Sequence, residues 1–246
     1  MGGPAWLTER PIAHRGFHDR SAGCIENTLT AVEAAIARDF AIECDVQITS
    51  DGEAIVFHDE NLMRLTGVNA RVDHATLSTI QGLHVLGTSD RIPTLTQLLD
   101  AIAGRAPLFV EIKSRFDGDK RLAERVADVL ARHAGPVAAM SFDADVIRTV
   151  RRRAPSVPCG LVASLSGRRG ARCHPHRKGR YRDLSFVAYE VGALRAEAHR
   201  PGEPLPRLAW TVRTIPDRLA ARRHADQIIF EGFDPSSLDT GSAAPA

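Results

Sequence analysis

Long apolar runs, aromatic residues and cysteines are all scarce in this chain. No stretch of ~18 consecutive apolar residues occurs among the 246, so no membrane-spanning helix is expected. There are four cysteines (Cys24, Cys44, Cys159, Cys173), and no two are separated by only two residues. That pattern excludes a zinc ribbon or a disulfide framework, and the expectation is reduced, structural thiols in a cytoplasmic protein. The first ten residues lack a basic stretch followed by an apolar core, so they do not read as a secretory signal. An excess of either charge is also missing: Lys plus Arg is 32, Asp plus Glu is 30, and the formal net charge is +2. Aromatics make up 5%. A near-neutral, aromatic-poor chain is not a dedicated nucleic-acid binder.

The composition present is that of a folded protein. Hydrophobic residues are 43% and charged residues 25%, which excludes a mainly disordered chain. The charge is locally uneven. Between Ser164 and Arg182 lie seven Lys/Arg and no Asp or Glu. Removing those seven from 32 leaves 25 basic against 30 acidic residues, a body of about −5 beside a +7 segment.

Short apolar runs alternate with helical patterns. The runs cover 11–15, 41–49, 54–58, 108–113, 137–142, 159–163, 186–191, 208–212 and 227–230. Apolar residues recur at i, i+3, i+4 over 29–38, 95–103, 120–132, 143–153 and 216–223, which predicts amphipathic helices. Asp51-Gly52 between the second and third runs is a hairpin signal. Those two runs therefore read as one parallel strand with an antiparallel return, and eight parallel strands remain. That count predicts an α/β fold, a (β/α)₈ barrel, in a single domain over 1–246. Residues 60–93 fit no simple βα unit and read as an insertion after strand two. The basic segment 164–182 follows a strand and so is expected on the active-site face.

Chemistry gathers at the predicted strand ends: His14-Arg15-Gly16, Glu43-Cys44-Asp45, His58-Asp59 and Glu111-Ile112-Lys113. The period of two puts Glu43 and Asp45 on one face, and likewise Glu111 and Lys113. A two-residue loop at Asp51-Gly52 would pair Asp45 with His58 across the hairpin. Glu43, Asp45 and Glu111 form an all-oxygen set suited to one hard divalent cation, Mg²⁺ or Ca²⁺. Arg15 and Lys113 add positive charge suited to a phosphate ester, and His14 and His58 supply a general acid and base. Taken singly, each feature has a plainer reading, such as a salt-bridged Glu-x-Asp pair or a structural histidine. Their convergence on one barrel mouth favours catalysis.

In order along the chain, His14-Arg15-Gly16, Glu26-Asn27-Thr28, Glu43-x-Asp45, Thr49-x-Asp51-Gly52, His58-Asp59, Arg64-x-Thr66, Ile92-Pro93-Thr94-Leu95, Glu111-Ile112-Lys113, Ser141-Phe142 and Trp210-Thr211-Val212 resemble the glycerophosphodiester phosphodiesterase family. The resemblance implies a metal-dependent TIM barrel that cleaves glycerophosphodiesters to glycerol 3-phosphate and an alcohol. It implies metal ligation by Glu43, Asp45 and Glu111, acid–base roles for His14 and His58, and phosphate binding by Arg15 and Lys113. The nucleophile is water or the neighbouring glycerol hydroxyl. Trp210 packs on the substrate or fills the barrel, and Glu26 either edges the site or serves the helix dipole. Asn27 or Thr28 caps the first helix. Arg213 stands where the family often has Asn, and Glu231 where Thr-Asp is common; both lie at the expected mouth. For the 164–182 segment the readings are a solvated loop, steering of an anionic substrate or phospholipid surface to the mouth, or contact with nucleic acid, the last disfavoured by its single aromatic, Tyr181. Rival functions are a lysophospholipase D-like activity on lipids and a non-catalytic phosphoester-binding module.

Overall fold

The computed structural model describes residues 3–164, 183–194 and 205–236. Its strands are β1 (Ile12–Ala13), β2 (Ala41–Ile48), β3 (Ala54–Val56), β4 (Leu108–Ile112), β5 (Val137–Ser141), β6 (Cys159–Ala163), β7 (Phe186–Glu190), β8 (Arg207–Val212) and β9 (Gln227–Phe230). The described helices are α1 (Leu29–Ile36), α2 (Met63–Thr66), α3 (Leu77–Gln81), α4 (Leu95–Ile102), α5 (Arg121–Leu130), α6 (Ala144–Arg153) and α7 (Ile215–His224). β1 pairs in parallel with both β2 and β9, which closes a ring of eight parallel strands. β3 alone runs antiparallel, on the outer edge of β2. The expected (β/α)₈ barrel is the fold observed.

Side-chain alternation divides the barrel into two cores. Ile42, Cys44, Val46 and Ile48 of β2 join the apolar layer shared with the helices, whereas Ala41 faces inward. The inward apolar set, including Ile12, Phe109, Met140, Phe186, Leu208 and Ile229, fills the lower barrel. Trp6 lies edge-on to Phe109 there, with ring centroids 5.7 Å apart. Glu43 and Asp45 continue the inward side of β2, and Glu111 stands two residues beyond Phe109 on β4. The polar groups thus stand above an apolar floor, at the C-terminal end of the strands.

Helix starts follow their caps. Thr28 accepts from the Ala31 N–H at the start of α1, so Thr28 rather than Asn27 is the cap. Thr94 with Gln97, and Thr214 with Asp217, form capping boxes for α4 and α7.

The hairpin differs from its sequence reading. Val46 pairs with Val56 and Ile48 with Ala54, and the Thr49 N–H donates to the Glu53 carbonyl. The loop is therefore three residues, Ser50-Asp51-Gly52, with Gly52 left-handed at φ 87°. Register slips by one, so Asp45 lies across from Phe57, whose N–H donates to the Asp45 carbonyl, and not from His58.

Residues 60–93 carry α2 and α3 and pack through a third apolar cluster onto β3 and the β1–α1 connection. Ile25, Ile55, Phe57, Leu62, Leu65, Val72, Ile80, Val85 and Ile92 belong to it. Among the described residues no helix is long and apolar enough to cross a membrane. Cys24, Cys44 and Cys159 are free thiols; Cys173 and the basic segment beyond Ser164 lie outside the described residues.

Candidate active site

The turn after β1 is built by left-handed backbone. Arg15 has φ 57°, Gly16 φ 79° and Asn27 φ 59°. A Cβ on Gly16 would lie 2.8 Å from the Ala31 Cβ and 2.9 Å from the Ala31 carbonyl, so only glycine lets α1 approach this turn. Gly16→Ala should cost about 2–4 kcal/mol, from backbone strain plus overlap. A urea midpoint equal to wild type would contradict this. The same turn aims the Arg15 backbone N–H at Glu43 Oε2, 2.9 Å away.

Glu43, Asp45 and Glu111 offer ligand oxygens that all lie within 4.8 Å of one another, and all three residues are buried. Asn27 fixes Asp45 twice: its Nδ2 donates to Asp45 Oδ2 at 2.9 Å and its Oδ1 accepts the Asp45 N–H at 3.2 Å. Arg15 Nε lies 3.2 Å from Asp45 Oδ2. Lys113 Nζ lies 2.5 Å from both Asp45 Oδ1 and Glu111 Oε1. Although burial opposes its charge, Lys113 and Arg15 hold the Asp45 carboxyl below its ordinary range. Burial, reinforced by Asp45, pushes the Glu43 carboxyl up to about 8. Glu43 Oε1 is buried with no hydrogen-bond partner. An all-oxygen donor set with an unpartnered oxygen and a carboxylate short of positive charge fits a hard divalent cation.

The two histidines are held in parallel ways. His14 Nδ1 lies 2.8 Å from Glu231 Oε2, and Glu231 in turn accepts from Arg213 Nη2 at 2.7 Å. His58 Nδ1 lies 2.6 Å from Asp59 Oδ1, and Asp59 Oδ2 accepts from Arg64 Nε at 2.5 Å. Each imidazole is thus backed by a carboxylate and each carboxylate by an arginine. A carboxylate on Nδ1 fixes the tautomer and leaves Nε2 for chemistry. His14 Nε2 faces Glu43 Oε2 at 3.9 Å. Against the effect of burial, Glu231 and Glu43 raise His14 above its ordinary value. Burial, with Lys113 and Arg15, holds His58 below its ordinary value despite Asp45.

These groups share one cleft of about 310 Å³, lined by His14, Arg15, His58, Glu111, Lys113 and Trp210 among others. Trp210 fills the upper barrel and also reaches the cleft. Its ring packs against the interior core and edge-on to Phe142 at 5.3 Å, its Nε1 donates to the Ala188 carbonyl, and it also lines the cleft. Glu26 sits behind Arg15: its Oε1 accepts from Arg15 Nη1 at 2.7 Å.

Sequence reading did not anticipate three links. Asn27 appeared as a possible helix cap, not as the clamp on Asp45. Glu231 and Arg213 appeared as departures from a pattern, and their pairing with each other and with His14 spans 217 residues from Glu231 to His14. Arg64 appeared only within the ordered motif Arg64-x-Thr66, without a partner; it is the second residue of α2, and its links to Asp59 and Glu26 appear only in the fold.

Comparison with known proteins gives a consistent result. The chain matches the model of the glycerophosphoryl diester phosphodiesterase family over residues 14–227. A glycerophosphodiester phosphodiesterase of Caldanaerobacter subterraneus subsp. tengcongensis is 32% identical over 161 residues, covering 61% of this chain and 65% of that protein. The human lysophospholipase D GDPD1 is 29% identical over 136 residues, covering 50% of this chain and 41% of that protein. The chain therefore spans less than two thirds of the length of these curated relatives. An Oleispira antarctica phosphodiesterase, solved with the product sn-glycerol-3-phosphate, shares the fold with a TM-score of 0.78 at 20% identity, over 95% of this chain and 96% of that one. The glycerophosphodiester phosphodiesterase of Thermotoga maritima does so with a TM-score of 0.66 at 22% identity, over 90% and 94%. The family match runs from the turn after β1 to the first residue of β9, and on that extent of agreement the chain belongs to the glycerophosphoryl diester phosphodiesterase family.

Proposed function

We propose that this chain hydrolyses glycerophosphodiesters to glycerol 3-phosphate and an alcohol, with one divalent cation, Mg²⁺ or Ca²⁺, and histidine acid–base catalysis. The observation that carries the reading is the shared cleft: His14, His58, Arg15, Lys113 and Glu111 all line it, and Glu111 belongs to the buried carboxylate triad. The family membership supports the reaction class. Glu43, Asp45 and Glu111 would hold the cation, which would supply Lewis-acid stabilisation of the phosphoryl oxygens. Arg15 and Lys113 hold the anionic oxygens of the diester and stabilise the charge that grows on them. One histidine takes the proton of the nucleophile, either water or the adjacent glycerol hydroxyl; in the second case the cyclic phosphate that forms as the alcohol leaves is opened by water in a following step to give glycerol 3-phosphate. The other histidine returns a proton to the leaving alkoxide, so that the P–O bond breaks without releasing a free alkoxide. Trp210 walls the cleft for the organic part of the substrate.

A lysophospholipid is the second reading. A cleft of about 300 Å³ shares Phe116 and Phe142 with the first; Ile147, Leu161 and Leu184 give it an apolar side suited to an acyl chain, while Asp143, Asp145, Arg148 and Arg151 also line it. A pure binding module is disfavoured, because binding alone does not require two histidines each backed by a carboxylate.

A product assay tests the proposal. The protein is incubated with glycerophosphodiesters and lysophospholipids in Mg²⁺, Ca²⁺ or EDTA. Release of glycerol 3-phosphate with metal and its loss in EDTA is expected. Turnover undiminished by EDTA overturns the metal assignment. Release only from lysophospholipid favours the second reading, and tight binding without product overturns catalysis.

A further inference from the structure

The 60–93 segment sends one cationic side chain back to the mouth. Arg64, on α2, donates from Nη1 and Nη2 to the two Glu26 oxygens, each at 2.8 Å. The same guanidinium donates from Nε to Asp59 Oδ2 at 2.5 Å and from Nη2 to Asp59 Oδ1 at 3.1 Å. Neither carboxylate ends there. Asp59 holds His58 Nδ1, and Glu26 holds Arg15 Nη1, whose Nε faces Asp45. An unbroken path thus runs from His58 through Asp59, Arg64 and Glu26 to Arg15.

We infer that Arg64 is a positioning residue: it ties the carboxylate behind His58 to the carboxylate behind Arg15 and so fixes the spacing of those two groups across the cleft. The inference rests on the hydrolytic reading above. An isolated, half-exposed ion pair contributes at most about 1 kcal/mol. Here one planar fork serves two carboxylates, and its geometry transmits orientation as well as charge. Without Arg64, Asp59 is free to turn from His58 Nδ1, and Glu26 is left with Arg15 as its one cationic partner among the described residues. A lysine supplies the charge but cannot bridge both carboxylates in one plane.

The test compares Arg64→Ala, Arg64→Lys, Glu26→Gln and the Arg64→Ala/Glu26→Gln double variant. On a glycerophosphodiester, Arg64→Ala should lower kcat about 10- to 100-fold with KM changed less than about threefold. Arg64→Lys should recover little of it. The double variant should lose scarcely more than either single one, since all interrupt one path. A second readout needs no substrate: the Nδ1–H proton of His58, seen by NMR and identified by its absence in His58→Ala. It should be observable in the wild-type protein and exchange-broadened in Arg64→Ala. A kcat within twofold of wild type, full rescue by lysine, multiplicative losses in the double variant, or an unchanged His58 Nδ1–H signal each overturns the role of Arg64. If the wild-type protein hydrolyses no diester, the hydrolytic reading fails on its own, and the NMR comparison still decides whether Arg64 positions His58.

Discussion

Glu43→Gln should reduce turnover about 100- to 1000-fold while the barrel stays folded, because it removes a charged ligand from the carboxylate triad without changing its shape. The glutamine oxygen can still accept the Arg15 N–H that Glu43 Oε2 accepts now. The stability consequence has the opposite sign from the usual core substitution. Burial and Asp45 push the Glu43 carboxyl from an ordinary 4.5 up to about 8. The folded protein therefore binds that proton more tightly than the unfolded chain does. Metal-free stability should accordingly fall as pH rises from about 4.5 to about 8, and Glu43→Gln should remove that slope. At pH 8 without metal, the variant should melt at or above the wild-type temperature, whereas added Mg²⁺ or Ca²⁺ should raise only the wild-type midpoint. Near-wild-type turnover, or a variant that melts well below wild type in metal-free buffer, would sink the assignment.

The second large effect belongs to the histidines. His14→Ala and His58→Ala should each lower turnover of an alkyl phosphodiester about 100- to 10 000-fold. Their shared architecture, with a carboxylate on each Nδ1, makes the losses similar in size on that substrate. A nitrophenyl diester separates them. Nitrophenolate leaves without protonation, so the variant lacking the acid should recover much of its rate on that substrate, while the variant lacking the base should not. Equal recovery by both variants, or activity near wild type in either, would contradict the acid–base pair.

The barrel was legible because its signal is local. Apolar runs bounded by turns, with helical periodicity between them, gave all nine strands, and the period of two put Glu43 with Asp45 and Glu111 with Lys113. The hairpin register was not legible at single-residue precision. Asp51-Gly52 marks a turn in either register, and only the left-handed Gly52 as the third residue of a three-residue loop excludes the Asp45–His58 pairing. His58 reaches the cleft nonetheless, because it lies beyond the end of β3, where strand alternation no longer dictates direction. Glu231 was hidden for a different reason. Its partner His14 is separated by 217 residues, and the two meet because β9 closes the ring beside β1. A motif read along the chain does not see that closure, although the eight-strand count implies that the first and last strand ends are neighbours.

The apolar cluster under the 60–93 segment is separate from the two barrel cores. A segment joined to Ile25, β3 and Phe57 through a small separate core can open as a cooperative unit while the ring of strands persists. Amide hydrogens of α2 and α3 should then exchange sooner than those of β2 and β4, in one concerted step. Opening withdraws Arg64 from Glu26 and Asp59, so on heating activity should fade in a first, reversible phase while barrel strand signals remain. The temperature limit of the proposed activity would then be set by the weakest cooperative unit that touches the cleft rather than by the melting of the barrel.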